Sequence, residues 1–359
     1  MNLSLSRFVR LLFARQSQDT LSQTAVASAG GNRMKRRVLI GITVVALLVG
    51  GGYGLYSHFF LGGAPAPVAP QHTDSGDKLP TQAEFDELAK TDPVRMLNIC
   101  LTRYQREVTQ GLRCTVEKQE RVQGYPKHPE MPPVEVVELC VRGDVPNADT
   151  NKTAIEVVMK WKSGARSVLG AEIRATRYSE KPEPEGLNGQ VLTWRPTARL
   201  SKLNGPIPAN NGPAKSQSRY CIRDAGVYRS MLRTHEAWKA RQDASEFRFE
   251  YLGKRIVEKA GNRECHIIKR ICPRIEIDAF EVGGTATSDP SVVAVEGFTE
   301  VTLYIDAEHW IQVGTELFRS EPDGTRVLVG SYFFRDVQLK PSFAPDTFTT
   351  EGMKKPLGN

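Results

Sequence analysis

Residues 94–122 read VRMLNICLTRYQREVTQGLRCTVEKQERV, and the period of their apolar positions changes partway. Val94, Leu97, Leu101, Tyr104 and Val108 recur at spacings of three and four, which gathers side chains on one face of a helix. Before them, Asp92 offers a carboxylate to the free N–H groups of a helix start. Pro93 suits the first helical position, where no N–H donor is needed. After Gly111 the period drops to two. Leu112, Cys114, Val116 and Lys118 alternate with Arg113, Thr115, Glu117 and Gln119, which predicts a strand reaching about Val122.

Outward from this stretch, Gln82–Lys90 reads as a short helix. Further strands are expected over Val134–Val141, Ala154–Trp161 and Ala171–Tyr178, with a weaker one over Leu187–Trp194. Asn204–Ala214 reads as a Pro/Gly/Asn loop. Ile222–Arg241 is a second helix, with Val227, Met231, Leu232 and Trp238 on one face. Strands resume at Phe247–Glu258, Glu264–Ile271, Val292–Val295, Phe298–Ile305, Gln312–Phe318 and Arg326–Leu339. Gly283–Asp289 and Glu321–Gly324 supply turns, and Pro322-Asp323-Gly324 between two strands signals a hairpin. The pattern predicts an α+β domain: a large curved antiparallel sheet of roughly ten strands, with one concave face that a helix can cover. Under such a cover an apolar cavity can form.

The 359 residues carry a net charge of +7. Residues 1–37 hold seven basic groups (Arg7, Arg10, Arg15, Arg33, Lys35, Arg36 and Arg37) against one acid, Asp19. Nearly all the excess charge therefore sits outside the folded domain. A nucleic-acid-binding domain would carry its basic stripe on its own surface, so no nucleic acid is expected as a partner. A hydrophobic fraction of 40% is enough for a core.

Val38 to Leu61 contains no Asp, Glu, Lys or Arg, and its 24 residues exceed the roughly 20 needed to cross a bilayer as a helix. Arg33, Lys35, Arg36 and Arg37 precede it and no similar cluster follows. The positive-inside rule then leaves residues 1–37 in the cytoplasm and sends the rest outward. The expected organisation is a basic N-terminal segment (1–37), a single transmembrane helix (38–61), a Pro/Gly-rich linker (62–80), an exported β-rich domain (81–350) and a C-terminal tail (351–359). The expected location is the inner membrane, with the domain periplasmic. The competing reading is a long cleaved signal peptide, with small residues at Ala64–Ala69 as the cleavage motif.

The run at 97–122, with Cys100 and Tyr104 on its helix and Lys118-Gln119-Glu120-Arg121 on its strand, resembles the opening of domain-of-unknown-function family 1571, uncharacterised exported bacterial proteins. Val157–Trp161 (VVMKW) fits the same family, as do VTLYIDAEHWIQVGTELF and SYFFRDVQLKPSF near the end. That ending is also similar to the outer-membrane lipoprotein carrier superfamily (LolA, LolB and the sensor RseB), through Tyr304-Ile305-Asp306, Asp336–Leu339 and Asp346-Thr347-Phe348. The resemblance implies an unclosed β-barrel with a helical lid that holds acyl chains.

Six cysteines (Cys100, Cys114, Cys140, Cys221, Cys265 and Cys272) all follow the apolar segment, and the exported side permits disulfides. A hairpin centred near Lys127 sets Cys114 opposite Cys140, so a Cys114–Cys140 disulfide is expected. Cys265, His266 and Cys272 lack the paired spacing of a zinc site. His128, His235 and His309 read as surface residues. Glu117, Glu120, Glu135 and Glu138 read as a solvated face alternating with Lys118 and Arg121. No GxSxG elbow, Walker A loop, GxGxxG or HExxH motif occurs. No catalytic residue, cofactor site or metal site is assigned.

The aromatics Phe247, Phe249, Tyr251, Phe298, Tyr304, Trp310, Phe318, Phe333 and Phe334 are expected to fill the core, some lining an acyl cavity under Ile222–Arg241. The expected function is a membrane-anchored, non-enzymatic domain that binds lipid or lipoprotein acyl chains. The alternatives are an RseB-like envelope sensor or interaction module, and a structural envelope protein with a filled core.

Overall fold

Two N-terminal helices form where the sequence places their caps. In α1 (Gln82–Thr91), Thr81 Oγ1 accepts the Glu84 N–H at 3.3 Å while the Glu84 carboxylate accepts the Thr81 N–H at 2.7 Å. Such reciprocal capping contributes about 1 kcal/mol. Asp92 ends α1 and starts α2 (Pro93–Glu107) by accepting the Arg95 N–H at 3.0 Å. The apolar stripe of α2, including Leu97, Leu101 and Tyr104, is buried as its spacing predicts.

The computed structural model describes residues 78–356, except 109, 123–132, 148–149, 151, 166, 169–170, 199–201, 210–217 and 278–289. The expected membrane helix at 38–61, its basic flank and linker residues 62–77 lie outside the described residues, as do His128 and the turn at Gly283–Asp289.

Gly111 turns the chain from α2 into the sheet. Its φ is +113°, and a Cβ there would sit 2.2 Å from the Val141 carbonyl oxygen, so only glycine fits. The strands are β1 (Leu112–Glu120), β2 (Glu135–Arg142), β3 (Glu156–Ser163), β4 (Ser167–Val168), β5 (Ala171–Glu172), β6 (Ala175–Ser179), β7 (Gln190–Trp194) and β8 (Leu203–Pro208). Helix α3 (Val227–Asp243) follows, preceded by a 3-10 turn at Ile222–Asp224. Then come β9 (Arg248–Val257), β10 (Arg263–Glu276), helix α4 (Pro290–Glu296), β11 (Phe298–Asp306), β12 (Gln312–Ser320), β13 (Arg326–Gln338) and helix α5 (Thr350–Lys354).

Eleven strands make one sheet in the order β8-β7-β6-β3-β2-β1-β13-β12-β11-β10-β9, and β4 with β5 make a separate ribbon. Every adjacent pair in the large sheet is antiparallel. The first and last strands meet in its middle, with Glu117 opposite Phe333. The outermost strands β8 and β9 do not pair with each other, so the sheet is unclosed. Ile207 on β8 and Arg270 on β10 nevertheless line one hollow, so the sheet curls around it.

Side chains alternate between the faces of a strand. Leu112, Cys114 and Val116 of β1 join the main core with the buried residues of α2 and α3. On the opposite face a second cluster gathers Cys140, Val158, Ala175 and Leu192 beneath Phe348 and Met353. The C-terminal segment with α5 thus covers the outer face. Arg142 lies 4.3 Å from the Phe348 ring centroid.

This alternation removes the expected disulfide. Cys114 stands opposite Leu139, and Cys140 opposite Arg113. A register step of one residue sends the two thiols to opposite faces. Cys114 lies in the inner core, Cys140 in the outer cluster, and all six cysteines are free thiols.

Two local expectations also change. Val292–Val295 is helical within α4, since so short an apolar run has no decisive period. Residues 204–208, expected as the start of the Asn204–Ala214 loop, belong to strand β8. Pro206 is tolerated there because β8 is an edge strand.

Candidate functional site

Between the inner face of the sheet and α3 lies a cavity of about 850 Å³. Its sheet wall is mostly hydrocarbon. Val116 of β1, Leu139 of β2, Met159 of β3, Val191 of β7 and Ile207 of β8 line one half. Val301 of β11, Leu317 of β12 and Phe334 of β13 line the other. Trp161 and Trp238 add indole surface. Of the aromatics singled out on the later strands, Phe298 and Phe334 reach this cavity. Phe85 instead stacks on Trp310 at 4.3 Å, and Phe247 packs against Trp238 at 5.3 Å.

The opposite wall differs in kind. Ser230, Arg233, Thr234, Ala237 and Arg241 of α3 face the cavity at steps of three and four, a polar and small-residue stripe. Met231 and Leu232 are fully buried in the main core. The helix therefore packs by its apolar residues and lends polar ones to the cavity. Gln312 pins it in place, donating to Ser230 Oγ at 3.0 Å and to Thr315 Oγ1 at 2.6 Å. Gly226 starts the helix at φ +103°, where a side chain would be strained.

At one end of the sheet, α2 packs against α3. The Tyr104 and Tyr228 rings are 5.5 Å apart, and Gln105 donates to the Tyr228 hydroxyl at 2.8 Å. Tyr104 also donates to Asp144 at 3.4 Å. Burial pushes the Asp144 carboxyl up to about 6, opposed by the charge of Arg229.

The other end of the cavity carries a buried ionic network. Lys118 Nζ lies 2.7 Å from Glu120 Oε1 and 3.4 Å from Glu135 Oε1. Trp161 donates to Glu135 at 2.7 Å, and the Tyr332 hydroxyl to Glu120 at 2.7 Å. Arg270 pairs with Glu276, which also lies 3.3 Å from Arg241. The carboxylates expected on a solvated face are thus split. Glu120 and Glu135 are buried on the cavity side with Lys118. Glu138 pairs with Arg113 and Glu117 with Arg335 on the other side of the sheet.

Among the described residues no three metal-ligating side chains converge. His266 meets Asp86 at 3.2 Å and the Tyr251 hydroxyl at 3.0 Å, tying α1 to the sheet. His309, expected on the surface without a partner, is 3.2 Å from Asp306. His235 is buried, which holds its imidazole below the usual range. Burial raises every thiol, Cys140 and Cys221 to about 11 and Cys265 and Cys272 to about 12. A thiol so raised is a poor nucleophile at neutral pH. The arrangement can enclose an amphiphile: hydrocarbon against the sheet, polar groups against α3 and the ionic end.

No family model matches the chain, and no curated protein matches it. Among solved structures, MucB is similar over 71% of this chain at 11% identity, with a TM-score of 0.35. The chain spans 62% of that structure's length. A putative outer membrane lipoprotein-sorting protein domain from Vibrio parahaemolyticus is similar at 11% identity and TM-score 0.27, covering 73% of this chain and 98% of that one. A LolA superfamily protein from Nitrosomonas europaea is similar at 8% identity and TM-score 0.24, covering 71% and 98%. Likeness of this degree assigns neither a family nor a ligand.

Proposed function

We propose that this chain is a non-enzymatic, membrane-anchored domain on the exported side of a bacterial inner membrane, holding acyl chains of lipid or lipoprotein between its sheet and α3. The observation that carries this reading is the cavity of about 850 Å³ with its hydrocarbon wall. That size lies within the range of small-molecule sites, roughly 300–1,000 Å³. A chain burying about twelve methylenes would gain roughly 10 kcal/mol before the costs of association. Such open space disfavours an envelope protein with a filled core.

The anchor rests on the uncharged stretch 38–61 and on the basic residues before it, with 62–80 as tether. The motif likeness of the ending to the lipoprotein carrier superfamily supports the same reading, whereas the expected membership of domain-of-unknown-function family 1571 finds no matching family model.

The test is polymer extraction of the full chain from membranes, followed by mass spectrometry of the bound lipids. Acyl lipid near one equivalent, lost on filling the cavity, is expected. Equal lipid in the wild type and a cavity-filled variant would overturn the reading. Protease accessibility in spheroplasts checks the anchor: residues after 80 are expected to be digested and the N-terminal segment protected.

A further inference from the structure

On the α3 wall of the cavity, Arg233 and Glu236 have no opposite charge at ion-pair distance among the described residues. Arg233 donates to the Asp224 backbone carbonyl at 2.5 Å and lies 4.3 Å from the Tyr220 ring centroid, yet makes no carboxylate pair. Glu236 lies three residues on and lines the same cavity, with no hydrogen bond or ion pair. It feels only the more distant charge of Arg229, and burial pushes its carboxyl up to about 7. Elsewhere in the cavity wall Lys118, Arg241 and Arg270 are each matched to buried carboxylates, and Asp224 to Arg223.

Residues three apart on a helix are neighbours, with Cβ atoms about 5–6 Å apart. Arg233 and Glu236 nevertheless do not neutralise each other. A ligand bearing an anion and an ammonium a few atoms apart would satisfy both. The guanidinium offers forked donors suited to a phosphate. The half-buried carboxylate gains most from a cation, which would draw its proton affinity back down. The sheet wall opposite supplies the hydrocarbon surface.

We infer that the cavity selects a zwitterionic amphiphile, a single- or double-chain lipid with a phosphate-and-amine head, its phosphate on Arg233 and its ammonium on Glu236. This rests on the acyl-binding reading above and sharpens it to a head-group class.

The test uses the full chain in amphipol and three photo-reactive lysolipids with the same acyl chain. One carries a phosphoethanolamine head, one a phosphoglycerol head and one an uncharged glycerol head. Adducts are mapped to cavity peptides. The zwitterionic probe is expected to label about tenfold more than the uncharged one, the difference of one charge-assisted contact. Arg233→Gln should erase that preference while acyl labelling persists. Glu236→Gln should bring the zwitterionic probe down to the phosphoglycerol level. Arg233→Lys, which keeps the charge and the contact over Tyr220, should retain most of it.

Equal labelling by all three heads would overturn the head-group inference and leave acyl binding standing. Equal labelling by the two phosphate heads would do the same. No labelling by any probe would overturn both. Competition by free phosphoethanolamine at concentrations comparable to the lipid would overturn the amphiphile assignment.

Discussion

Trp161 donates its indole N–H to Glu135 across 2.7 Å, and does so inside a cavity whose sheet wall is mostly hydrocarbon. The contact belongs to a chain of polar groups crossing four strands, from Trp161 on β3 through Glu135 and Lys118 to Tyr332 on β13. Buried charges of this kind stand only when matched.

Lys118 is the cation between two buried carboxylates. Lys118→Met should lower stability by about 3–5 kcal/mol at neutral pH, because Glu120 and Glu135 lose their shared charge. Denaturant unfolding measures this. Adding Glu135→Gln to the variant should restore part of the loss. A double variant no more stable than the single one would place the cost elsewhere.

Asp144 gives the fold a pH signature. Its carboxyl is raised from 3.8 to about 6, chiefly by burial. The folded state therefore holds the proton in a window where the unfolded state has released it. Stability is expected to fall as pH rises through that window, by up to about 3 kcal/mol, and to level off above it. Asp144→Asn should remove the slope between pH 3.8 and about 6. Unfolding free energies at half-unit pH steps test both statements.

Ala237 marks the narrowest change that fills the cavity. It faces the space from α3, between Arg233 and Arg241. Ala237→Trp should weaken acyl binding by at least about tenfold, one unit of log affinity being 1.4 kcal/mol. The melting temperature should change little, since the new side chain enters existing space. Displacement of a fluorescent fatty acid reports the affinity, and a thermal melt serves as the control.

The free thiols are directly countable. In chain purified without reductant, iodoacetamide should modify none of the six cysteines while the domain is folded and all six after denaturation. The slow native reaction follows from burial, which also holds each thiol in its protonated form.

Parts of this architecture were legible because local chemistry forced them. The Asp92-Pro93 junction, the period change at Gly111 and the Pro322-Asp323-Gly324 hairpin all appear where their residues require. Other parts depend on partners far along the chain. The single-residue register step that separates Cys114 from Cys140 is set by the β1–β2 pairing across the connection, and no composition rule reports it. Strand β8 was hidden by Gly205 and Pro206, which usually mark loops and are admitted here only at a sheet edge.

The candidate site was half visible. The apolar residues of α3 announced a buried helix face. Its polar stripe, Ser230, Arg233, Thr234 and Arg241, reads in isolation as a solvent face. Only the curl of the sheet turns that stripe inward. Buried Glu120 and Glu135 were missed for the same reason. Strand alternation shows which residues share a face, not which face looks onto water.

The pairing of β1 with β13 also governs when the domain comes into being. Glu117 and Phe333 are neighbours in space and more than two hundred residues apart along the chain. Pairings of such long range are slow to form, because loop closure must precede any reward. The two halves of the sheet join only there, and the cavity takes its walls from both. A chain still being made therefore has no cavity until its final strand arrives. Docking of the last strand and completion of the cavity walls are a single event.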